Sequence, residues 1–98
     1  MPDDDSASAI ATVMVTLPIA LVNLFPGSPR MVTLQAATVR DAIDGLNARW
    51  PGMRDRICDS TPAIRRHMNV FVDGQRATLQ TALRPGADML VMTAISGG

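Results

Sequence analysis

Apolar and polar residues alternate with a period of two near the start of the chain, which predicts a β-strand over residues 10–17. The segment is also rich in β-branched residues, which favour strands. One face of this strand, the expected core face, carries Val13, Val15 and Leu17. The opposite face carries Met14 and Thr16. Residues 31–35 alternate in the same way and predict a second strand that pairs with the first. Between the two strands, Pro18 and the Pro- and Gly-rich residues 23–29 predict a loop.

The spacing of apolar residues then changes to that of a helix. Thr38 is a suitable N-cap, and Asp41 three residues later offers a weaker form of the capping box. The apolar stripe that would face a sheet consists of Val39, Ala42, Ile43, Leu46 and Trp50. Pro51 ends the helix, and residues 53–59 add a helical turn with Ile57 directed inward.

Three further strands are predicted in the second half of the chain. Residues 67–72 form one strand, which turns at Asp73-Gly74, the strongest hairpin signal in the sequence. Residues 75–79 return as a short strand. A type II turn over residues 84–87 then leads into the last strand, residues 89–95.

This order of elements predicts a single α+β domain, and 98 residues are close to the usual size of one. We expect the helix to lie across one face of a mixed sheet, with the first and last strands adjacent and parallel. Residues 1–9 are predicted to be a flexible leader, residues 10–95 the domain, and residues 96–98 a flexible tail.

The charge of the chain is balanced, with nine Arg against nine Asp and neither Lys nor Glu. A net charge of zero and a single basic doublet, Arg65-Arg66, disfavour nucleic acid or an anionic membrane as the main partner. The sequence has no apolar run of membrane-spanning length and no signal region, so we expect a cytoplasmic protein. The lone cysteine, Cys58, cannot form an internal disulfide, which is consistent with that location.

His67 and Cys58 are the internal side chains that could carry catalysis or bind a metal. No nucleophile motif accompanies His67, which disfavours a catalytic role. A structural zinc needs four ligands, and one Cys with one His does not supply them. We expect Cys58 to be a small, partly buried hydrophobe. The sequence therefore predicts no internal active site, no metal and no bound cofactor.

The last predicted strand leads without a turn into Ser96-Gly97-Gly98. Two glycines in this place have two interpretations. They are a frayed end, or they form a tail whose terminal carboxylate is the reactive group. In the second interpretation, the lack of side chains lets Gly98 pass through a narrow channel into the active site of another protein.

With these elements in place, the sequence from about residue 11 to residue 98 resembles the ThiS/MoaD family of ubiquitin-like β-grasp sulfur carriers. The segments that carry the resemblance are Asn69-Val-Phe-Val-Asp-Gly74, Leu79 with Thr81-Ala-Leu83, Arg84-Pro-Gly-Ala-Asp88 and Ala94-Ile-Ser-Gly-Gly98. Within the family, residues 66–73 are most similar to the carriers of actinobacterial cysteine synthesis and of some secondary-metabolite pathways.

The resemblance implies a protein that is a reagent rather than an enzyme. A ubiquitin-activating-like enzyme would use ATP to adenylate the Gly98 carboxylate, and a sulfur donor would then displace AMP to leave a thiocarboxylate. Gly97 and Gly98 keep the carbonyl carbon open to attack. The implied partners are this adenylating enzyme and a sulfur-accepting enzyme, either cysteine synthase-like or the large subunit of a synthase.

The period of two also predicts a docking surface on the sheet. The residues expected to face the helix are Val13, Val15, Val70, Val72, Met89 and Val91. Alternation leaves Met14, Phe71, Leu90 and Met92 on the opposite face, and these four residues are the predicted partner-binding patch.

Three alternative functions stay open from the sequence. The chain would be the small subunit of molybdopterin synthase if it docked permanently on a catalytic subunit. It would be a non-covalent β-grasp interaction module if Gly-Gly were incidental. A protein modifier, joined to other proteins by isopeptide bonds, is the third.

Overall fold

The computed structural model describes residues 11–93, and within that range the chain forms a five-stranded mixed sheet and three helices. The strands are β1 (Ala11–Thr16), β2 (Met31–Ala36), β3 (Met68–Val72), β4 (Gln75–Arg76) and β5 (Asp88–Thr93). The helices are α1 (Ile19–Leu24), α2 (Val39–Arg49) and α3 (Met53–Ile57). The order in the sheet is β2-β1-β5-β3-β4, so the last strand of the chain lies at its centre.

The pairing of the strands confirms the predicted α+β β-grasp arrangement. β1 and β5 are parallel neighbours, with Val15 opposite Met89. β2 pairs with β1 and β3 pairs with β5, both in antiparallel register. The first and last strands are therefore adjacent and parallel, as the sequence predicts, and both hairpins attach to this central pair.

One face of the sheet is covered by α2, which begins at the predicted N-cap. The Oγ1 atom of Thr38 accepts a hydrogen bond from the backbone N–H of Asp41 at 3.2 Å. The helical residues Val39, Ala42, Ile43 and Leu46 are buried. The facing sheet residues Val13, Val15, Val70, Met89 and Val91 are also buried, and Val72 is half-buried. The apolar faces predicted for helix and sheet form one core.

The side chain of Asn47 in α2 makes hydrogen bonds to the start of α3. Trp50 is the C-cap of α2 and is half-buried, and Gly52 has a φ of 99° in the left-handed region that favours glycine. The Oδ1 atom of Asn47 accepts the backbone N–H groups of Gly52 and Arg54, each at 3.0 Å. The added helical turn with an inward Ile57 is confirmed as α3.

Both predicted turns have the expected geometry. Asp73 and Gly74 have φ values of 50° and 87°, which a two-residue type I′ hairpin requires at both positions. Gly86 has a φ of 81°, and the Ala87 N–H donates to the carbonyl of Arg84 at 3.0 Å, which makes residues 84–87 a type II turn.

The predicted loop between the first two strands was wrong in part, because α1 extends through residue 24. The carbonyl of Pro18 accepts the N–H groups of Leu21 and Val22, and Leu21 is buried in the core. Proline at the N-cap position is compatible with a helix, because the N–H group that proline lacks would have no intrahelical acceptor there. Burial of Leu21 then stabilises a helix too short to form alone.

Strand β4 is also shorter than the predicted residues 75–79. The Ala77 N–H still donates to Val70 at 2.8 Å, but a turn follows in which the Thr81 Oγ1 accepts from the Thr78 N–H at 2.9 Å. This turn leads the chain away from β3. The third strand begins at Met68 rather than at residue 67, and β2 continues to Ala36.

Several sequence predictions fall outside the described residues. They are the flexible leader over residues 1–9, the first residue of the first strand, Ile10, the last two residues of the last strand, and the tail over residues 96–98.

Candidate partner-binding face and tail exit

The four residues of the predicted partner-binding patch lie together on the sheet face that α2 does not cover. Phe71 is directly opposite Leu90, and Met14 is opposite Asp88, two residues before Leu90 on the same face. Leu90 and Met92 are 38% and 42% exposed, whereas Met14 and Phe71 are half-buried. The alternation that the sequence predicts is therefore present, and partner binding at this patch stays a prediction.

Met31 extends this apolar face toward the edge of the sheet. It pairs with Thr16, which in turn pairs with Leu90, so all three side chains share one face. Met31 is 56% exposed. Met31 is not among the residues predicted for the patch, although its outward position in the alternating residues 31–35 is a signal present in the sequence.

Polar groups border the apolar face at one edge and one end. At the β4 edge, the Arg76 guanidinium donates to the Oδ1 of Asn69. At the end where β5 begins, the Arg84 Nε lies 3.1 Å from the Asp73 Oδ2. The Asp73 Oδ1 also accepts the backbone N–H of Asp88 at 3.1 Å, which ties the hairpin to the start of β5. An apolar centre with a polar border is the usual composition of a protein interface.

The central strand β5 ends at Thr93, five residues before Gly98 in the sequence. Thr93, the last described residue, pairs with Met68 at the start of β3, and Met92 precedes it on the exposed face. The predicted reactive and tail residues Gly98, Gly97 and Ser96 lie outside the described residues. Thr93, where the described chain ends, lies at the end of the sheet opposite the Asp73-Gly74 turn.

The two internal candidates lie in different environments. His67 is exposed next to the start of β3, and Cys58 is buried. Burial raises the pKa of the Cys58 thiol, and the Arg54 guanidinium offsets part of that rise. A thiol with a raised pKa is a poor nucleophile at neutral pH. Cys58 is thus the small buried hydrophobe that the sequence predicts.

Asp59 and the other titratable groups of residues 11–93 do not form a metal site. No group of three His, Cys or Asp side chains in this range is arranged to hold a metal ion. A hydrogen bond from the Thr61 hydroxyl holds the pKa of the Asp59 carboxyl below its usual value, and the same carboxylate accepts the Ala63 N–H at 3.0 Å. Asp59 therefore organises its own loop. Over the same described range, the helices are all too short or too polar to span a bilayer.

Comparison with known proteins identifies the family. No family model matches the chain. The small archaeal modifier protein 1 of Haloferax volcanii is 32% identical over 62 residues, which are 63% of this chain and 71% of that protein. The chain belongs to the ThiS/MoaD family of ubiquitin-like β-grasp sulfur carriers.

Solved structures of sulfur carriers in this family have the same fold. The crystal structure of SAMP1 from Haloferax volcanii matches with a TM-score of 0.75 and 28% identity, over 90% of this chain and all of that one. A chain of the BexX/CysO complex from Amycolatopsis orientalis matches with a TM-score of 0.78 and 26% identity, over 88% of this chain and 99% of that one. These relatives support a role of the sulfur-carrier type.

Proposed function

We propose that this sulfur carrier holds its sulfur as a thiocarboxylate at Gly98. The observation that carries the proposal is the Gly97-Gly98 pair, which follows the central strand of a β-grasp sheet beside an exposed apolar face. The proposal requires a free carboxylate at Gly98. Of the internal candidates in residues 11–93, Cys58 is buried and the pKa of its thiol is raised, which disfavours it as a competing site.

The chemistry is an activation followed by a substitution. A carboxylate oxygen of Gly98 attacks the α-phosphorus of ATP in the partner enzyme, and pyrophosphate leaves. The acyl-adenylate then has a good leaving group, so sulfide or a persulfide sulfur attacks its carbonyl carbon and AMP departs. A persulfide donor would also need a thiol reductant to release the carrier. The product is a glycyl thiocarboxylate, and ATP belongs to the partner rather than to this chain.

The described domain favours a partner that binds the exposed face of the sheet and has an active-site channel for the tail. The apolar face beside Met92 supplies buried contact area, while glycines at positions 97 and 98 present no Cβ to the channel. The partner we propose is a ubiquitin-activating-like adenylating enzyme. A reaction that consumes ATP agrees with a cytoplasmic location.

The sulfur acceptor that we favour belongs to cysteine or secondary-metabolite biosynthesis. One structural relative is the CysO chain of a complex with BexX, which supports an enzyme as the binding partner of this chain also. In the alternative, this chain is itself the small subunit of molybdopterin synthase, docked permanently on the catalytic large subunit. A cysteine synthase-like gene beside the gene for this chain would favour the first pathway, and a gene for the synthase large subunit would favour the second.

A second candidate function, protein modification, is favoured by the similarity to a protein named a modifier. The same acyl-adenylate would then be attacked by a lysine amine of a target protein. This chain contains no Lys, so it would donate its tail without accepting another copy on a lysine side chain. Isopeptide-linked products in cell extracts would distinguish this function from sulfur transfer.

The decisive experiment is the intact mass of the purified chain after incubation with ATP, the cognate adenylating enzyme and sulfide. We expect the wild-type chain to gain the mass difference between sulfur and oxygen. Deletion of Gly98, one added residue or Gly97→Val should each abolish the gain while circular dichroism stays unchanged. One residue shifts the carboxylate by up to ~3.5 Å, and even ~1 Å of misplacement costs about a hundredfold in rate.

Two results would contradict the proposal. One is a wild-type chain that keeps its mass with an enzyme known to be active on another substrate. The other is a Gly98 deletion that gains mass normally. Purified components are needed, because a protease could trim an extended chain back to Gly98. Normal function of the Gly98 deletion in cells would favour a non-covalent interaction module.

A further inference from the structure

The folded domain is more basic than the whole chain, and its cations are unevenly distributed. Residues 11–93 contain all nine Arg but only six of the nine Asp, an excess of three positive charges. Four of these Arg and the single His lie between positions 54 and 67. The zero net charge of the full sequence hides this concentration, because Asp3, Asp4 and Asp5 lie in the leader.

A groove of about 720 Å³ brings part of this basic segment to one end of the domain. Its charged and polar wall contains Arg56 from α3, together with Arg65 and His67 from the segment before β3. Its apolar wall contains Leu24 and Phe25, with Met68 beside them. Leu24 is 51% exposed, so the apolar wall is accessible as well as the cations.

The guanidinium of Arg65 is held in place on the groove wall. Its Nε donates to the backbone carbonyl of Asp55 at 2.8 Å. Its backbone N–H donates to the carbonyl of Ile57 at 2.8 Å, and its carbonyl accepts the N–H of Met68 at 2.9 Å. A cation fixed in this way loses little conformational entropy when it binds an anion.

The cations of the groove have no carboxylate partner within the described chain. The ion pairs found among residues 11–93 join Arg54 to Asp44 and Arg84 to Asp73. Asp55 lines the groove too, but its carboxylate is not within 4.0 Å of the Arg56 or Arg65 guanidinium. The groove therefore carries two guanidinium groups, of Arg56 and Arg65, against the one carboxylate of Asp55, next to an apolar wall.

The groove lies beside the end of β5, where the described chain stops. Met68 lines the groove and is also the residue that pairs with Thr93 at the end of β5. A protein that draws residues 94–98 into its active site must cover this end of the sheet. The segment of that protein that contacts the groove would therefore contact positive charge and apolar surface at the same time.

We propose that the groove formed by Arg56, Arg65, His67, Leu24 and Phe25 binds an acidic segment of the adenylating enzyme, with an apolar residue of that segment against Leu24 and Phe25. Paired charges at an interface steer association and fix the orientation of the partners. This inference rests on the proposed function. It adds a second contact, separate from the apolar patch on the sheet, that orients the tail.

The test uses the full-length chain and the rate at which the cognate adenylating enzyme releases pyrophosphate. In the double variant Arg56→Glu/Arg65→Glu, the KM for the carrier should rise by about tenfold or more at low salt, because like charges then meet at the interface. The kcat should stay the same. The matched control Arg40→Glu makes the same charge change at an exposed residue that does not line the groove, and it should leave KM unchanged.

Ionic strength gives a second readout. Screening at about 0.1 M salt acts over roughly 10 Å, so added salt should raise the KM of the wild type and have little effect on the double variant. Because Arg65 also bonds to Asp55, circular dichroism checks the fold of the double variant, and the single variant Arg56→Glu repeats the test without disturbing that hydrogen bond.

Each remaining outcome has a definite meaning. A double variant with the KM of Arg40→Glu would overturn the groove proposal, whereas a wild type that releases no pyrophosphate would overturn the proposed function instead. Replacing Asp3, Asp4 and Asp5 by Asn should leave KM unchanged. If it lowers KM in the wild type but not in the double variant, the acidic leader occupies the groove and the proposal is wrong.

Discussion

Leu46 is the residue whose burial most directly tests the contact between α2 and the sheet. Its side chain is fully buried in the shared core. Leu46→Ala should therefore reduce the free energy of unfolding by about 2–5 kcal/mol, through lost transfer energy and a residual cavity. Denaturant midpoints measure the loss. The matched control Leu24→Ala removes the same atoms from a residue that is 51% exposed. A loss below roughly 0.5 kcal/mol for Leu46→Ala, the range of exposed sites, would contradict the core assignment.

Cys58 is the residue that should control stability at alkaline pH. The chain has no Tyr and no Lys, so Cys58 is the only side chain that titrates between about pH 8 and pH 11. Because burial raises the pKa of the folded thiol, the unfolded chain loses its proton first as pH rises. The contribution of Cys58 to stability is thus complete below the usual thiol pKa of about 8.5. It is lost as pH rises from there through the folded pKa.

Unfolding free energies of the wild type and of Cys58→Ala, measured in reducing buffer at a series of alkaline pH values, test this expectation. The wild type should lose stability with pH in this range. Cys58→Ala should be less stable at neutral pH, because it removes a buried group, and its stability should vary less with pH. An equal slope in both proteins would show that the thiol is not the cause.

The alternating side chains of β5 predict separate effects on folding and on partner binding. Val91 is fully buried and Met92 is 42% exposed, although they are neighbours in sequence. Met92→Asp should leave the fold intact and weaken activation by the adenylating enzyme, because it puts a charge in an apolar contact. Val91→Asp should unfold the domain, because it puts a charge among the buried apolar side chains of the core.

Circular dichroism beside a pyrophosphate-release assay distinguishes the two effects. Thr93→Asp is a matched control, since Thr93 is also exposed on β5 but carries no large apolar side chain. If Met92→Asp unfolds the chain while Val91→Asp does not, the register of β5 would be shifted by one residue.

The whole domain depends on its last strand. β5 lies between β1 and β3 and carries Met89 and Val91 into the core, so both hairpins lack their shared neighbour until residues 88–93 are present. A chain that ends at Ala87 should show no cooperative unfolding transition in denaturant, and its amide spectrum should have the narrow dispersion of an unfolded chain. Cooperative unfolding of the 1–87 fragment would mean that the hairpins and α2 form a stable unit alone.

The sequence alone predicted what short-range chemistry controls. Thr38 capped α2, Asp73-Gly74 and the 84–87 turn adopted the expected backbone geometry, and the period of two correctly separated Val91 from Leu90. These features depend on residues within a few positions of one another. The Gly97-Gly98 pair and the resemblance to the family were also evident from the sequence.

Only the tertiary structure decided the features that depend on distant residues. The helix α1 exists because Leu21 is buried in a core built mainly by later residues, and β4 ends early because a turn closed by Thr81 leads the chain away. Met31 joins the apolar face through its pairing with β1. The basic groove brings together three separate segments, at residues 24–25, 52–56 and 65–68, so no local pattern could reveal it. Hydrophobic burial and strand pairing act between residues that are far apart in the sequence, and only the folded chain brings them together.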